Sequence, residues 1–409
     1  MRHWKPWTLG LLAASFAATA LHADDTPAGP EAPATEAKPP SEPSPQGVKV
    51  AASGDGVVIQ SESGDFKLQL RALLQVDGRF FFSDDDKLAT NNFLIRRARP
   101  IFTGTVAKYF DFNLTPDFGG AGNVLATAVP VIQDAFINVK SNPKLQLRVG
   151  KFKPPIGIEH LQQDPFLAMA ERAFPASLEP NRDIGVELHG ELLKGAVTYA
   201  GGVFDGTADG GSVDGDLNDS KDLMGRLFFS PFKTGTTPLK GLGFGISGST
   251  GKPPGVIALL AQYRTSGQVG FFSYPSALVN SAGTRTRVSP ELSFYLGPFG
   301  LLAEYVKSRG RLEKTGQQES AELANEAWQA TITVSLTGEA GGYDGVKVKR
   351  PFDPGKGAWG AFQLAARVNG FKADSATFDL GYADITKSAR KATGVGVGLN
   401  WFLNKNVKQ

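Results

Sequence analysis

"FKLQLRALLQVDGRFF" runs from Phe66 to Phe81 and alternates with a period of two. Phe66, Leu68, Leu70, Ala72, Leu74 and Val76 fall on one face; Lys67, Gln69, Arg71, Gln75, Asp77 and Arg79 fall on the other. Successive side chains of a strand point to opposite faces, so this segment has one apolar and one charged side. The pattern recurs at Phe110, Phe112, Leu114, Pro116 and Phe118, and again at Trp328, Ala330, Ile332, Val334 and Leu336. Such segments approach the roughly ten residues that cross a bilayer at a tilt, whereas sandwich strands usually have about five or six. The apolar faces begin or end in aromatics (Phe66, Phe80, Tyr109, Phe118, Trp328, Trp401), as an interfacial girdle requires. Tight connections, "SNPK" at Ser141–Lys144 and "LGPFG" at Leu296–Gly300, alternate with long polar ones at Phe204–Asp222 and Ser308–Asn325. The fold class that follows is all-β, a transmembrane antiparallel β-barrel.

Fourteen strands are predicted, at 65–79, 93–106, 108–118, 130–140, 144–152, 183–192, 195–204, 221–230, 241–250, 285–296, 299–309, 326–337, 357–371 and 394–403. The stretch Gly255–Ser276 reads either as a further strand or as part of a loop.

The amino terminus reads as a secretory signal peptide over residues 1–23. Arg2 and Lys5 form its charged region, Thr8–Ala20 its short apolar core, and cleavage is expected after Ala23. Residues 24–47 are rich in Pro, Ala and Glu and read as an extended linker. The barrel is expected over 48–409. With Cys 0, no disulfide, thiol catalyst or thiolate metal site can form, and the four histidines show no metal-ligand spacing. No cofactor is implied. A formal net charge of +3 is mild, and no basic cluster with an aromatic platform or reading helix suggests nucleic-acid binding.

Placement of charge is more informative than its total. In "NFLIRRARPIFTGTV" (Asn92–Val106), Arg97, Arg99, Thr103 and Thr105 share one parity, and Ala98, Pro100, Phe102 and Val106 the other. An arginine facing lipid at mid-bilayer costs roughly 2–4 kcal/mol, so Arg97 and Arg99 are expected to face the lumen. Arg96 has the lipid parity but lies near the strand's start, where the chain can still turn it inward or toward the headgroups. Rings of arginine select anions in pores, and the guanidinium fork matches phosphate.

Several short motifs carry no chemistry. "DFGG" at Asp117 shares letters with a kinase element but ends a strand. "STGKPP" at Ser249 lacks the P-loop spacing, and "GVGVG" at Gly394 is strand alternation. "DGDLNDSKD" (Asp214–Asp222) lacks the central glycine and final glutamate of a calcium loop; an outer loop that binds lipopolysaccharide-bridging cations loosely is the expectation. A barrel enzyme would need a serine–histidine or carboxylate cluster. Neither His160 nor His189 has a serine at a readable catalytic spacing, so no catalytic residues and no metal site are assigned.

The chain resembles the phosphate-selective porins O and P from about Phe66 onward. "FLIRRARPIF" is similar to the family's F-x-R-R-A segment, and "LRVGKFKPPIGIEHLQQDPFLAMAERAFP" to its V-G-x-F-K-x-P-F-G-x-E…E-R block. "LGPFGLLAEYVKSR", "VSLTGE", "GAWGAFQLAAR" and "GLNWFLNKNVK" resemble later strands in the right order. The resemblance implies a trimeric sixteen-stranded barrel in a Gram-negative outer membrane. It also implies an inward constriction loop at about 153–183. Carried over residue by residue, it implies anion contacts at Arg96, Arg97 and Arg172, with Arg71 and Arg148 at further lining positions; parity adds Arg99. His160 follows the G-x-E element where a phosphate-specific member carries lysine. About fourteen of the sixteen strands are expected here, the two beyond "GLNWFLNKNVK" being absent. The implied partners are inorganic phosphate or other small anions, lipid and lipopolysaccharide, and two further copies of the chain. Alternatives are a general non-specific porin and a non-conducting structural or adhesive barrel.

Overall fold

In the computed structural model, the described residues are 47–82, 89–120, 130–216, 218–253, 262–275, 279–317 and 319–409. Residues 1–46, which hold the expected signal peptide and nearly all of the expected linker, lie outside them.

A hairpin of β1 (Val48–Ser53) and β2 (Gly56–Ser61) leads into β3 (Lys67–Arg79), β4 (Asn92–Val106), β5 (Phe110–Asp117), β6 (Val131–Asn142) and β7 (Leu145–Phe152). Next come β8 (Asp183–Leu192), β9 (Val197–Phe204), β10 (Asp222–Phe229) and β11 (Leu242–Gly251). The short β12 (Gln262–Arg264) and β13 (Gly270–Ser273) pair only with each other. Three long strands follow: β14 (Val279–Leu296), β15 (Phe299–Lys314) and β16 (Ser320–Ser335). A second small pair, β17 (Gly341–Gly342) and β18 (Gly345–Val346), precedes β19 (Ala361–Lys372) and β20 (Lys391–Phe402). Among the described residues, the α-helices α1 (Ile158–Leu161) and α2 (Ala376–Asp379) are single turns, and no described helix is long and apolar enough to cross a membrane.

Apart from the two small pairs, sixteen strands form one antiparallel sheet in chain order. The fourteen predicted strands are all present in it. The expectation of about fourteen is corrected at the amino-terminal side, where β1 and β2 add two. Every side chain of β1 is exposed, so no contrast between its faces shows in its sequence. A second correction concerns Ser308–Asn325, which is not a long loop. β15 runs to Lys314 and β16 starts at Ser320, and cross-strand pairs such as Arg309–Glu322 (3.1 Å) carry this polar hairpin onward. The stretch Gly255–Ser276 contains β12 and β13 rather than a strand of the main sheet.

The wall is inverted relative to a soluble sheet. Leu74, Val76, Ile332, Val395 and Val397 are among the outward, exposed side chains, while Gln329, Thr331, Glu304, Arg287 and Arg367 are inward and buried. An apolar outside and a polar inside are what a lipid-embedded wall requires.

The two ends of the sheet approach each other at one rim. Lys405 Nζ lies 2.8 Å from Asp55 Oδ1, and Asn406 Nδ2 donates to Gly54 O. Beyond β20 the chain turns, and Gln409 exchanges two 2.8 Å backbone bonds with Trp401. β2 covers β3 only from Lys67 to Leu70. Among the described residues, no strand pairs with β3 on that side from Arg71 upward, or with β20 opposite β19 from Lys391 to Asn400.

Candidate pore constriction

Sequence places Arg96 and Arg97 side by side, yet an ordinary strand would send them to opposite faces. β4 avoids this with a bulge: Gln75 pairs with Arg97 and Val76 with Ile95, leaving Arg96 as the extra residue. The period of two restarts there. Phe93 and Ile95 remain exposed outside, while Arg97 and Arg99 are buried inside and Arg96 also reaches the inward loop.

That loop links the end of β7 to the start of β8, over 153–182. Prolines at 154, 155, 165, 175 and 180 break the alternation and deny it a sheet partner. It folds back inside as short turns around α1. Gly157 supplies a φ of +78° that an L side chain would adopt only with strain. Ile156, Ile158, Leu167 and Leu178 are buried against the inner wall, and Phe174 and Leu178 join a core with Val306, Leu323 and Phe371. Tyr343 Oη donates to Ile158 O at 2.6 Å, and Asn400 Nδ2 to Ala168 O at 2.9 Å. The loop is therefore fastened to several strands at once.

Its opposite side meets the arginines. Asp164 accepts from Arg172 Nη1 at 2.6 Å, lies 3.3 Å from Arg97 Nε, and pairs with Arg99. Glu171 pairs with Arg96, and sits 3.1 Å from Arg79 and 3.5 Å from Arg97. Arg99 Nε donates to Asp117 at 2.6 Å, and Arg79 Nη2 to Asp77 at 2.9 Å. Five arginines thus meet four carboxylates, leaving one positive charge in excess. Arg97 Nε has no hydrogen-bond partner.

Burial alone would raise the Asp164 carboxyl, but Arg172, Arg97, Lys153 and Arg99 outweigh it and hold Asp164 well below the usual carboxylate range. Burial pushes the Lys153 ammonium well down, with Arg172 and Arg182 adding to the effect; its Nζ donates to His160 O and Gln162 O at 2.6 and 2.9 Å. Burial and the neighbouring cations also keep the His160 ring neutral.

Arg96, Arg97, Arg99 and Arg172 are therefore gathered into one cluster. Arg71 and Arg148 are not. They line a separate recess with Lys67, Thr103 and Asn138. Arg148 lies between the rings of Phe136 and Phe152, 5.0 and 5.2 Å from their centroids, and 3.3 Å from Glu187. Arg285 and Arg287, further down the chain, anchor the 204–222 loop. Arg287 donates to Asp209 and to Thr207 O, both at 2.8 Å. Sequence reasoning missed Arg79, Asp77, Asp117, Asp164 and Glu171. The inward parity of Asp77 and Arg79 was a usable signal; the loop carboxylates had none, because the β3 and β4 arginines they meet lie 65 to 92 residues away. In "DGDLNDSKD", Asp216 accepts Asn218 N at 3.0 Å and pairs with Lys221. Among the described residues, no group of three or more histidine or carboxylate side chains could hold a metal ion.

An apolar exterior, a polar interior and a long loop fastened inside are the architecture of an outer-membrane porin. Residues 66–409 match the family described as "Phosphate-selective porin O and P", and the chain belongs to that family. Membership places it in the outer membrane of a Gram-negative bacterium. Among solved structures, it is similar to OmpT of Vibrio cholerae at 10% identity, with 83% of each chain covered and a TM-score of 0.48. It is also similar to an anion-selective porin from Comamonas acidovorans (12% identity, 82% of this chain and 98% of that one, TM-score 0.41). A third is OprB of Pseudomonas putida (10%, 83% and 86%, 0.47). No curated protein matches the chain.

Proposed function

We propose that the chain is a passive diffusion porin for small anions, inorganic phosphate among them, acting as a closed barrel in a trimer within lipid and lipopolysaccharide. The observation that carries this is the bulge in β4. It turns two adjacent arginines inward, where Arg99 and Arg172 join them with one positive charge in excess. Conduction needs binding favourable enough to admit an ion and weak enough to release it. Asp164 and Glu171 serve the second need, because a passing anion must compete with them for the same guanidinium forks. Arg71 and Arg148, in their own recess, give the anion a second cationic stretch. Reversal potentials in a salt gradient across a planar bilayer test the reading, with phosphate added to chloride as a competitor. Preference for anions and a phosphate-dependent drop in chloride current are expected; preference for cations, or no conductance, overturns it. The pairing of every clustered arginine with a carboxylate favours a second reading, a general porin without phosphate preference, in which added phosphate leaves the chloride current unchanged.

A further inference from the structure

Four glutamates meet where the constriction loop rests on the wall. Glu304 on β15 accepts the N–H of Ile158 at 2.9 Å and of Glu159 at 3.3 Å on Oε2, and Gln329 Nε2 at 2.7 Å on Oε1. Glu291 on β14 accepts Ser247 Oγ at 2.7 Å and lies 2.7 Å from Arg226. Glu159 accepts the N–H of Ala173 at 2.8 Å and pairs with Arg367. Each of the three therefore has donors on both oxygens.

Glu179 is different. It is 0% exposed, and neither of its oxygens has a hydrogen-bond partner. Its carboxyl presses on Gly157: a Cβ there would stand 2.1 Å from Oε1. The Gly157 N–H is already taken by Ser247 Oγ at 3.2 Å. The charged groups around it are Glu304 from β15, Glu291 from β14, and Glu159 and Arg172 from its own loop. From the 204–222 loop, the Gly210 N–H donates to Glu179 O at 2.8 Å, and the carboxylate of Asp209 is turned to Arg287.

We propose that Glu179 is a neutral carboxylic acid that positions the constriction loop against β14 and β15, so that its ionisation loosens the loop and changes the pore. A buried carboxylate without donors, facing three others, cannot stay charged cheaply, whereas the protonated form carries no negative charge to be repelled. Burial first, then Glu304, Glu291 and Glu159, push the Glu179 carboxyl well above its usual range, and Arg172 offsets only part of this. The seat it provides is therefore complete below the ordinary carboxylate range and is lost as pH rises through the raised value. The proposal rests on the porin reading, since it regulates that same constriction.

The test is conductance of the full chain in planar bilayers titrated upward from about pH 5, just above the ordinary carboxyl value, to about pH 9. Wild type is expected to show one sigmoidal step. Glu179→Gln, which keeps the shape and cannot ionise, should lose the step, and Glu179→Asp should keep it. The same step in Glu179→Gln, or a flat wild-type profile with conductance intact, overturns the proposal; absence of conductance at every pH instead overturns the porin reading on which it stands. Where Glu179→Gln fails to assemble, wild type alone decides. Trypsin cleavage at Arg172 and Arg182, normalised to exposed Lys356, should rise with pH, and a constant ratio overturns the loosening.

Discussion

The two sides of the constriction loop carry opposite imbalances. Toward β4, five arginines face four carboxylates. Toward β14, β15 and β19, four glutamates face Arg226 and Arg367, with Arg172 reaching Glu179 from within the loop. The cationic side keeps its surplus because each guanidinium has several donors to share among carboxylates and carbonyls. The acidic side offsets its surplus with backbone N–H groups, with the Gln329 amide, and with a glutamate that has no donor at all. The difference teaches that one side is arranged to keep charge available, and the other to hold a loop still.

If this contrast is right, the largest effect belongs to the seat. Arg367→Met leaves Glu159 buried without its partner, a loss of about 3–5 kcal/mol for a broken buried pair. The temperature at which the folded form persists in detergent electrophoresis should fall sharply. An unchanged value would show that the seat does not depend on this pair.

Next comes Arg97→Ala. It removes the surplus charge on the cationic side, and anion preference by reversal potential should fall several-fold while the folded form survives. A shift no larger than that of an exposed arginine variant would remove Arg97 from the path. Asp164→Asn should act in the opposite direction, since it frees Arg97, Arg99 and Arg172 from a shared carboxylate; anion preference should rise and phosphate should dwell longer. In wild type, Asp164 is held well below the ordinary carboxylate range. Its ion pairs therefore persist as pH falls through that range, and are lost only near the lowered value. Selectivity should stay constant down to about pH 4, near the ordinary carboxylate value; a change between neutrality and that point would place the titrating group elsewhere.

The smallest effect is expected at Arg309→Ala. Arg309 and Glu322 are half-exposed at 3.1 Å, and such pairs contribute about 0–1 kcal/mol. Neither stability nor reversal potential should move measurably.

Much of this architecture was readable in the chain. The alternation from Phe66 to Phe81 already separated lipid from lumen, and Leu74 and Val76 are outward as it required. The inward loop was readable because its prolines interrupt that alternation. The charge state of the cluster was not readable. The FLIRRARPIF stretch shows three arginines and no carboxylate, and an anion site was the natural expectation. Their acidic partners arrive from a loop and a neighbouring strand.

By itself, then, the sequence determined the period of two and the faces of the strands where that period is plain, because these depend on neighbours within a few residues. Only the tertiary structure decided that a bulge turns Arg96 inward beside Arg97, and that β1 and β2 join the sheet. It alone decided which carboxylates neutralise which arginines, and that Glu179 has no partner. Those outcomes rest on register and on contacts between groups far apart in the chain. A one-residue shift in strand pairing reverses a side chain's face, and Arg367 meets Glu159 across 208 residues.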